Sequence, residues 1–244
     1  MLNKKKNSFF QLDRFNLIHF LEGFDIFLNF SIVTFLSIFF LADYDENYSL
    51  PIIIFIICLS FFSRIFVIPL LKKLLYYTKN KKINCLYFLS LAYLIPVFLP
   101  NNFLIVSLLI FVFCRFSIGI LFSSIHLNYF NSLMDKDEDS YFIKYSLTII
   151  VGMVLANFLY LFIDDFFSNN QLNEWAWKVT YVILFLITAL ISLVLKIKNK
   201  PFHITISYNS SLDEQLSLKK VKKFFFANIY ILIPLFSFIF FSSN

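Results

Sequence analysis

Four ionisable side chains stand inside strongly apolar stretches of this sequence. Glu22 and Asp25 lie within residues 16–42, three positions apart, so an α-helix would carry both carboxylates on one face. Arg64 and Arg115 lie within two later apolar stretches. An isolated acid at the centre of a bilayer costs about 2.5–3.5 kcal/mol on insertion scales, so acids at such positions require partners. Acids and arginines at one depth would neutralise one another, and the acids could exchange a proton.

The composition assigns the chain to the membrane proteins. Of its 244 residues, 59% are hydrophobic and only 15% are charged, whereas a soluble domain carries about 25% charged residues. Several apolar runs approach or exceed the roughly 20 residues with which a helix crosses the hydrocarbon core. They predict spans at about 16–42, 49–71, 83–99, 102–128, 142–163, 176–195 and 224–241. We therefore predict an all-α integral membrane protein with no soluble domain between its spans.

The basic residues predict the orientation of these spans. With the N-terminus inside, all of the 21 lysines and arginines except Lys178, Arg64 and Arg115 fall in inner segments. The outer loops are acidic or neutral, which is the bias expected when basic residues stay on the cytoplasmic side. The first apolar run is too long for a signal peptide and lacks a small-residue cleavage site. The net charge of +6 thus follows from topology and calls for no nucleic-acid partner.

Depth places the four ionisable side chains at one level of the membrane. At 1.5 Å per residue, the two acids lie about 10–14 Å from the inner end of the first span. Arg64 and Arg115 lie about 20 Å from the outer ends of their spans, so all four meet in the inner half of a hydrocarbon core of about 30 Å. We expect Arg115 to pair with Asp25, which is the deeper acid, and Glu22 to be freer to titrate. Arg64 should lie in the same layer.

Polar residues continue along the same helical faces. Glu22, Asp25 and Asn29 form one stripe on the first span, and Arg115 and Gly119 belong to another on the fourth. Such stripes line a water-filled or substrate-binding cavity, in which the acids would serve ion coupling. The alternative is a dry salt bridge that only locks the packing of the helices. The sequence accommodates both interpretations.

Other reactive residue types form no recognisable site. Cys58, Cys85 and Cys114 have no paired spacing and are expected to behave as small hydrophobic residues. No nucleotide-binding, protease or hydrolase motif occurs, so we expect no enzyme activity, no metal and no cofactor. The histidines are expected near span ends or in loops and receive no role; they are His19, His126 and His203.

Several landmarks along the chain follow one another in the order of a known transporter family. The matching residues are EGFDI (22–26), Arg64, Lys81 and Lys82, RFSIG (115–119), WAWKVTY (175–181) and Pro201. The family motifs at these places are E-W-Y-D-F, an arginine in the second span, a basic loop end, R-x-x-Q-G and W-G-W-R-I-P-F. Over about residues 15–205 the chain resembles the N-terminal half of a major facilitator superfamily transporter. The resemblance is to the metabolite:proton symporter branch, which includes proline/betaine and dicarboxylate carriers.

The resemblance implies an architecture and a function. It implies a six-helix N-terminal domain at 1–198, a cytoplasmic connector at 199–223 and the first helix of a truncated C-terminal half at 224–244. The six helices would form two three-helix units in a bacterial inner membrane, with the first and fourth spans facing a central cavity. The implied function is proton-coupled symport of an amino acid, a betaine or an organic acid. The implied substrate- and proton-coupling residues are Glu22, Asp25, Asn29, Arg64 and Arg115.

Departures from the family pattern leave alternatives. The loop at 72–82, KKLLYYTKNKK, lacks the glycines and the acid of the family loop. Residues 123–125 read Ser-Ser-Ile where the family carries an acid, and only one span of a second half is present. Solute transport therefore competes with two alternatives. One is a degenerate remnant without transport activity, and the other is a half-transporter that works with a second chain or a second copy.

Overall fold

The computed structural model of the protein describes residues 14–78, 83–100, 103–133, 138–197 and 203–204. Apart from connecting loops and two short strands, these residues are helical, which confirms the predicted all-α class for this part of the chain. In chain order the elements are α1 (Arg14–Ser31), α2 (Val33–Leu41), α3 (Glu46–Thr78), β1 (Ile83–Asn84), α4 (Cys85–Leu94), a 3₁₀-helix (Ile95–Phe98), α5 (Leu104–Leu133), α6 (Glu138–Phe166), α7 (Asn169–Gln171), a π-helical turn (Leu172–Ala176), α8 (Trp177–Ile197) and β2 (His203–Ile204).

Four helical stretches among the described residues are long and apolar enough to cross a membrane. They are Asn47–Arg64, Leu104–Ile125, Tyr145–Phe166 and Asn169–Lys196. α1 and α2 pass the same test together and give a fifth candidate, which is bent by 57°. These apolar helices are compatible with the predicted multi-pass membrane protein.

The third predicted span, 83–99, is shorter than a membrane-crossing helix. It consists of ten α-helical residues followed by four residues of 3₁₀-helix, which together extend only about 23 Å. Pro96 explains where the α-helix ends, because a proline disfavours the α conformation of the residue before it. The predicted count of six spans therefore exceeds the four or five that the described residues provide. The predicted seventh span, 224–241, lies outside them.

The bend in the first span has a local cause. The helix breaks at Ile32, whose backbone angles are φ −97° and ψ 10°. Just before it, the Ser31 hydroxyl donates a hydrogen bond of 3.0 Å to the backbone carbonyl of Phe27. Serine hydroxyls bound to the carbonyl four residues back bend helices. No proline or glycine occurs between residues 27 and 36, so this serine is the local feature that explains the bend.

The helices pack most extensively in three pairs. α1 runs along α6, α3 along α5, and α4 along α8. The chain has only three glycines, and all lie where two paired helices approach closely. A Cβ atom on Gly23 or Gly152 would collide with backbone between α1 and α6, and one on Gly119 would collide with α3. Small residues allow such close backbone contact between membrane helices, so the glycines fix the α1–α6 and α3–α5 distances.

Burial distinguishes the centre of the bundle from its outer faces. No side chain of α1 between residues 16 and 31 is exposed, so α1 does not lie at the periphery, as predicted for the first span. α5 is less enclosed, because its N-terminal half exposes large apolar side chains, such as Ile105, Leu109 and Phe113. α6 carries the broadest exposed apolar face, formed by Leu147, Ile150, Val151, Val154, Phe158, Leu161 and Phe162.

The two strands connect distant parts of the sequence. β1 and β2 pair in an antiparallel arrangement, with Ile83 opposite Ile204 and Asn84 opposite His203. The pairing ties the segment before α4 to the segment after α8. Of the predicted connector at 199–223, only residues 203 and 204 belong to the described part of the chain.

Candidate functional site: a buried charge layer

The four ionisable residues of the apolar stretches meet inside the bundle. We call this set, Glu22, Asp25, Arg64 and Arg115, the charge layer. Their exposed fractions are 0%, 2%, 5% and 0%, so all four are buried. They come from three helices, the acids from α1 and the arginines from α3 and α5. The prediction that they share one layer is confirmed.

One pair of the charge layer, Asp25 with Arg115, joins α1 to α5, and we call it the outer pair after the predicted orientation of α1. Arg115 Nη1 donates to Asp25 Oδ1 at 2.9 Å, and Nη2 lies 3.3 Å from Oδ2. This two-pronged geometry is the strong form of an arginine–carboxylate contact. Arg115 Nη2 also lies 3.3 Å from the hydroxyl oxygen of Ser60 on α3. The predicted choice of Asp25 as the partner of Arg115 is confirmed.

Hydrogen bonds from α1 and α8 support the outer pair. Asn29 Nδ2 donates to Asp25 Oδ1 at 2.9 Å and to the Asp25 backbone carbonyl at 2.7 Å. The hydroxyl of Tyr181 on α8 donates to Asn29 Oδ1. Tyr93 of α4 is fully buried as well. Asn29 was predicted as part of the stripe on the first span, whereas the two tyrosines were missed.

Aromatic rings close the bundle around Tyr181. Trp177 lies one turn before it on α8, with the two ring centroids 5.9 Å apart. Trp177 packs edge-on against Phe39 of α2 at 4.9 Å, and Phe111 of α5 packs edge-on against Tyr181 at 5.9 Å. All of these rings are buried. The motif WAWKVTY thus contributes two of these buried rings and the hydroxyl group that bonds to Asn29.

The other pair of the charge layer, Glu22 with Arg64, joins α1 to α3, and we call it the inner pair. Arg64 Nη2 lies 2.5 Å from Glu22 Oε1, and the Arg64 guanidinium lies over the ring of Phe61 at 4.9 Å. The predicted place of Arg64 in the layer is confirmed. Arg64 is thus the close basic partner of Glu22. That Glu22 is freer to titrate than Asp25 stays a prediction.

A histidine adjoins the inner pair. His19 is only 1% exposed, and its Nδ1 lies 3.9 Å from Glu22 Oε2. Its ring packs edge-on against Tyr145 of α6, with ring centroids 4.4 Å apart. His19 was predicted near the membrane interface without a role; the structure buries it inside the bundle beside Glu22. Its spacing of three residues from Glu22 was a signal that it belongs to the same polar stripe.

The charge layer is balanced and enclosed. Two carboxylates face two guanidinium groups, so no positive charge is left over to hold an anion while both pairs are intact. Gly119, predicted to line a cavity, is instead packed against α3. Among the described residues no group of three potential metal ligands occurs, and Cys58, Cys85 and Cys114 are buried free thiols. The chemistry open to the layer is the exchange of a proton or of an ionic partner.

The comparisons with known proteins add no relative. A scan against protein-family models, a search of the curated proteins and a search of the solved structures found no match to this chain. The likeness to the facilitator superfamily therefore rests on the sequence landmarks alone.

Proposed function

We propose that the chain is a membrane-embedded half of a solute transporter, and that the inner pair couples a proton to the movement of a small solute. The solute class is an amino acid, a betaine or an organic acid. The observation that carries the proposal is the burial of Glu22 and Arg64 as an ion pair next to a second buried ion pair. Ionisable residues inside membrane spans generally mark proton or substrate pathways.

The coupling follows from the charges. When Glu22 binds a proton it becomes neutral, and Arg64 loses its counter-anion. The guanidinium then offers its paired N–H donors to a carboxylate on the solute, which restores neutrality in the membrane interior. Solute and proton are thus held together, because either one alone leaves an unpaired buried charge. Asp25 and Arg115 keep α1 against α5 during this exchange.

The helix pairs support the proposed architecture of two three-helix units. Counting the helical segments in chain order, α1 with α2 is the first and α8 the last of six. The extensive pairs are then first with fifth, second with fourth and third with sixth. Suppose that segments one to three trade places with segments four to six. The pair of segments one and five then becomes the pair of segments four and two, and the pair of segments three and six maps onto itself. Gly23 and Gly119 lie in the two pairs that this exchange relates.

Transport by this arrangement requires a second helical half. In transporters built from repeats the solute site lies between two halves near the bilayer midplane, and one half rocks against the other. We propose that the described helices form one such half, and a second chain or a second copy is one source of the other. The proposed setting is a bacterial inner membrane with the N-terminus inside, in accord with the basic residues of the inner segments.

A second candidate is a helical bundle without transport activity. The observation that favours it is the complete enclosure of both ion pairs, because a charge layer that only locks packing needs no access from outside. Removing one partner of such a lock would destabilise the fold without changing any transport property. The two candidates therefore differ in what Glu22 does in a folded protein.

Reconstitution of the full chain into liposomes tests the proposal. Uptake of labelled proline, betaine and a dicarboxylate is measured under an inward proton gradient, with and without a protonophore. We expect uptake of at least one solute above that of empty liposomes, and loss of this uptake when the gradient collapses. If two copies form the transporter, the uptake should rise more steeply than linearly with protein density in the membrane.

The decisive variant is Glu22→Gln, with Glu174→Gln as its matched control. Glu174 is exposed in the π-helical turn and far from the charge layer in sequence. We expect Glu22→Gln to remove the dependence of uptake on the proton gradient and the control to retain it. Absence of uptake by folded wild-type protein would exclude a transporter formed by copies of this chain alone. Unchanged gradient dependence in Glu22→Gln would exclude Glu22 as the coupling residue.

A further inference from the structure

We propose that His19 is the group through which protons reach and leave Glu22 from the inner end of α1. The inference deepens the proposed function, because it names the residue that loads the coupling acid. It starts from the two basic residues that face the two oxygens of the Glu22 carboxylate. Arg64 approaches Oε1 at 2.5 Å, while His19 Nδ1 faces Oε2 at 3.9 Å. One oxygen thus meets a permanent cation and the other meets a titratable base.

The position of His19 along α1 suits this role. It precedes Glu22 by three residues, which is about 4.5 Å along the helix axis toward the N-terminal end. Imidazole is the side chain whose ordinary titration falls between about pH 5 and 8, so it can take up and release protons under physiological conditions. His19 is the only histidine among the described buried side chains.

Among the described residues, an aromatic ring contacts His19 and a guanidinium group shares the Glu22 carboxylate with it. The ring belongs to Tyr145 of α6, which packs edge-on against the imidazole. The guanidinium group belongs to Arg64 of α3, which is directed at the same carboxylate. On α5, Arg115 is engaged by Asp25, and on α8 Tyr181 bonds to Asn29, two turns beyond Glu22. The described part of α2 carries no titratable residue.

The proton step balances without any other reactant. A proton from the inner side binds the imidazole and forms imidazolium. Transfer from Nδ1 to Glu22 Oε2 leaves a neutral imidazole and a neutral carboxylic acid, and Arg64 is released from its counter-anion. The gap of 3.9 Å exceeds a direct hydrogen bond, so one bridging water or a small side-chain rotation completes the transfer.

The equilibrium test leaves His19 itself intact. Replacing the other two histidines, as His126→Gln with His203→Gln, makes His19 the sole histidine of the full chain. Nitrogen-15 NMR of this protein in lipid nanodiscs then follows one imidazole. We expect it to titrate between about pH 5 and 8, and its midpoint to move by about one pH unit when Glu22→Gln is added. The inference would be overturned if the imidazole did not titrate, or if its midpoint were the same with and without Glu22→Gln.

The kinetic test measures how fast Glu22 becomes protonated. Infrared spectroscopy after a pH jump detects the carboxylic acid band that Glu22→Gln removes. We expect His19→Gln to slow the appearance of this band at least tenfold, and His203→Gln to leave its rate unchanged. Equal rates in wild type and His19→Gln would contradict the role. If His19→Gln does not fold, the NMR titration still decides. Neither measurement requires a solute. A negative result here is therefore compatible with persistent uptake, and a positive result here is compatible with a protein that transports nothing.

Discussion

The two ion pairs of the charge layer have the same chemistry and different surroundings. The outer pair, Asp25 with Arg115, has two-pronged contact, and hydrogen bonds connect it to Ser60 on α3 and, through Asn29, to α8. The inner pair, Glu22 with Arg64, has a contact of 2.5 Å and a titratable neighbour in His19. Dense hydrogen bonding holds a buried charge in one geometry, whereas a competing base allows the partner to change. The outer pair is therefore suited to hold the helices together and the inner pair to respond to protons.

The largest effect is expected from breaking the outer pair. Asp25→Asn leaves Arg115 buried without a counter-anion, and removal of one partner of such a pair typically costs about 3–5 kcal/mol of stability. We expect this loss in the free energy of unfolding, measured by denaturant titration of the purified protein in mixed micelles. Adding Arg115→Gln should recover part of it. If the double variant is as destabilised as the sum of the two single variants, the residues are not coupled.

A smaller loss is expected from breaking the inner pair. Glu22→Gln also removes a counter-anion, but Arg64 keeps its contact with Phe61 and is slightly more exposed than Arg115. A long arginine side chain can also redirect its charge toward the interface. We expect a destabilisation of about 1.5–3 kcal/mol in the same assay. A loss equal to or above that of Asp25→Asn would contradict the division between a holding pair and a responsive pair.

Removing the hydrogen bond from α8 should weaken the outer pair modestly. Tyr181→Phe keeps the ring in its aromatic contacts and deletes only the hydroxyl that donates to Asn29. Loss of one such bond costs about 1 kcal/mol. Tyr160→Phe, at a half-buried position on α6, is the matched control and should be nearly neutral. Equal effects of the two variants would show that the Tyr181 hydroxyl does not support Asp25.

The smallest effect is expected at Ser60. Its hydroxyl donates to the Ile57 carbonyl at 3.0 Å and faces Arg115 at 3.3 Å. Ser60→Ala should cost about 0.5–1 kcal/mol. Ser90→Ala on α4 is a control in which a hydroxyl bonds only to a backbone carbonyl. The difference between the two losses measures the contact with Arg115, and this difference should vanish in an Arg115→Gln background.

Depth and sign of charge were enough to predict the outer pair, because depth depends only on position along each helix and the sign of charge only on residue type. Tyr181 and His19 could not be assigned in this way, since their contacts depend on how α8 and α6 are rotated against α1. The pairing of Glu22 with Arg64 was missed for the same reason. The short third span reflects Pro96, a local signal that hydropathy overlooks. No sequence pattern predicted the pairing of β1 with β2, because strands of two residues are too short to show an alternation of polar and apolar side chains.

The separation of the ion-pair partners along the chain has a consequence for biosynthesis. Asp25 and Arg115 are 90 residues apart, and at 5–20 residues per second the ribosome needs roughly 5–18 s to make the intervening chain. Arg64 emerges after less than half of that delay. Glu22 thus finds its cation while Asp25 still waits at the translocation machinery, where a lone acid opposes release into lipid. The nascent first helix is therefore expected to stay beside the translocon until the helix that carries Arg115 arrives.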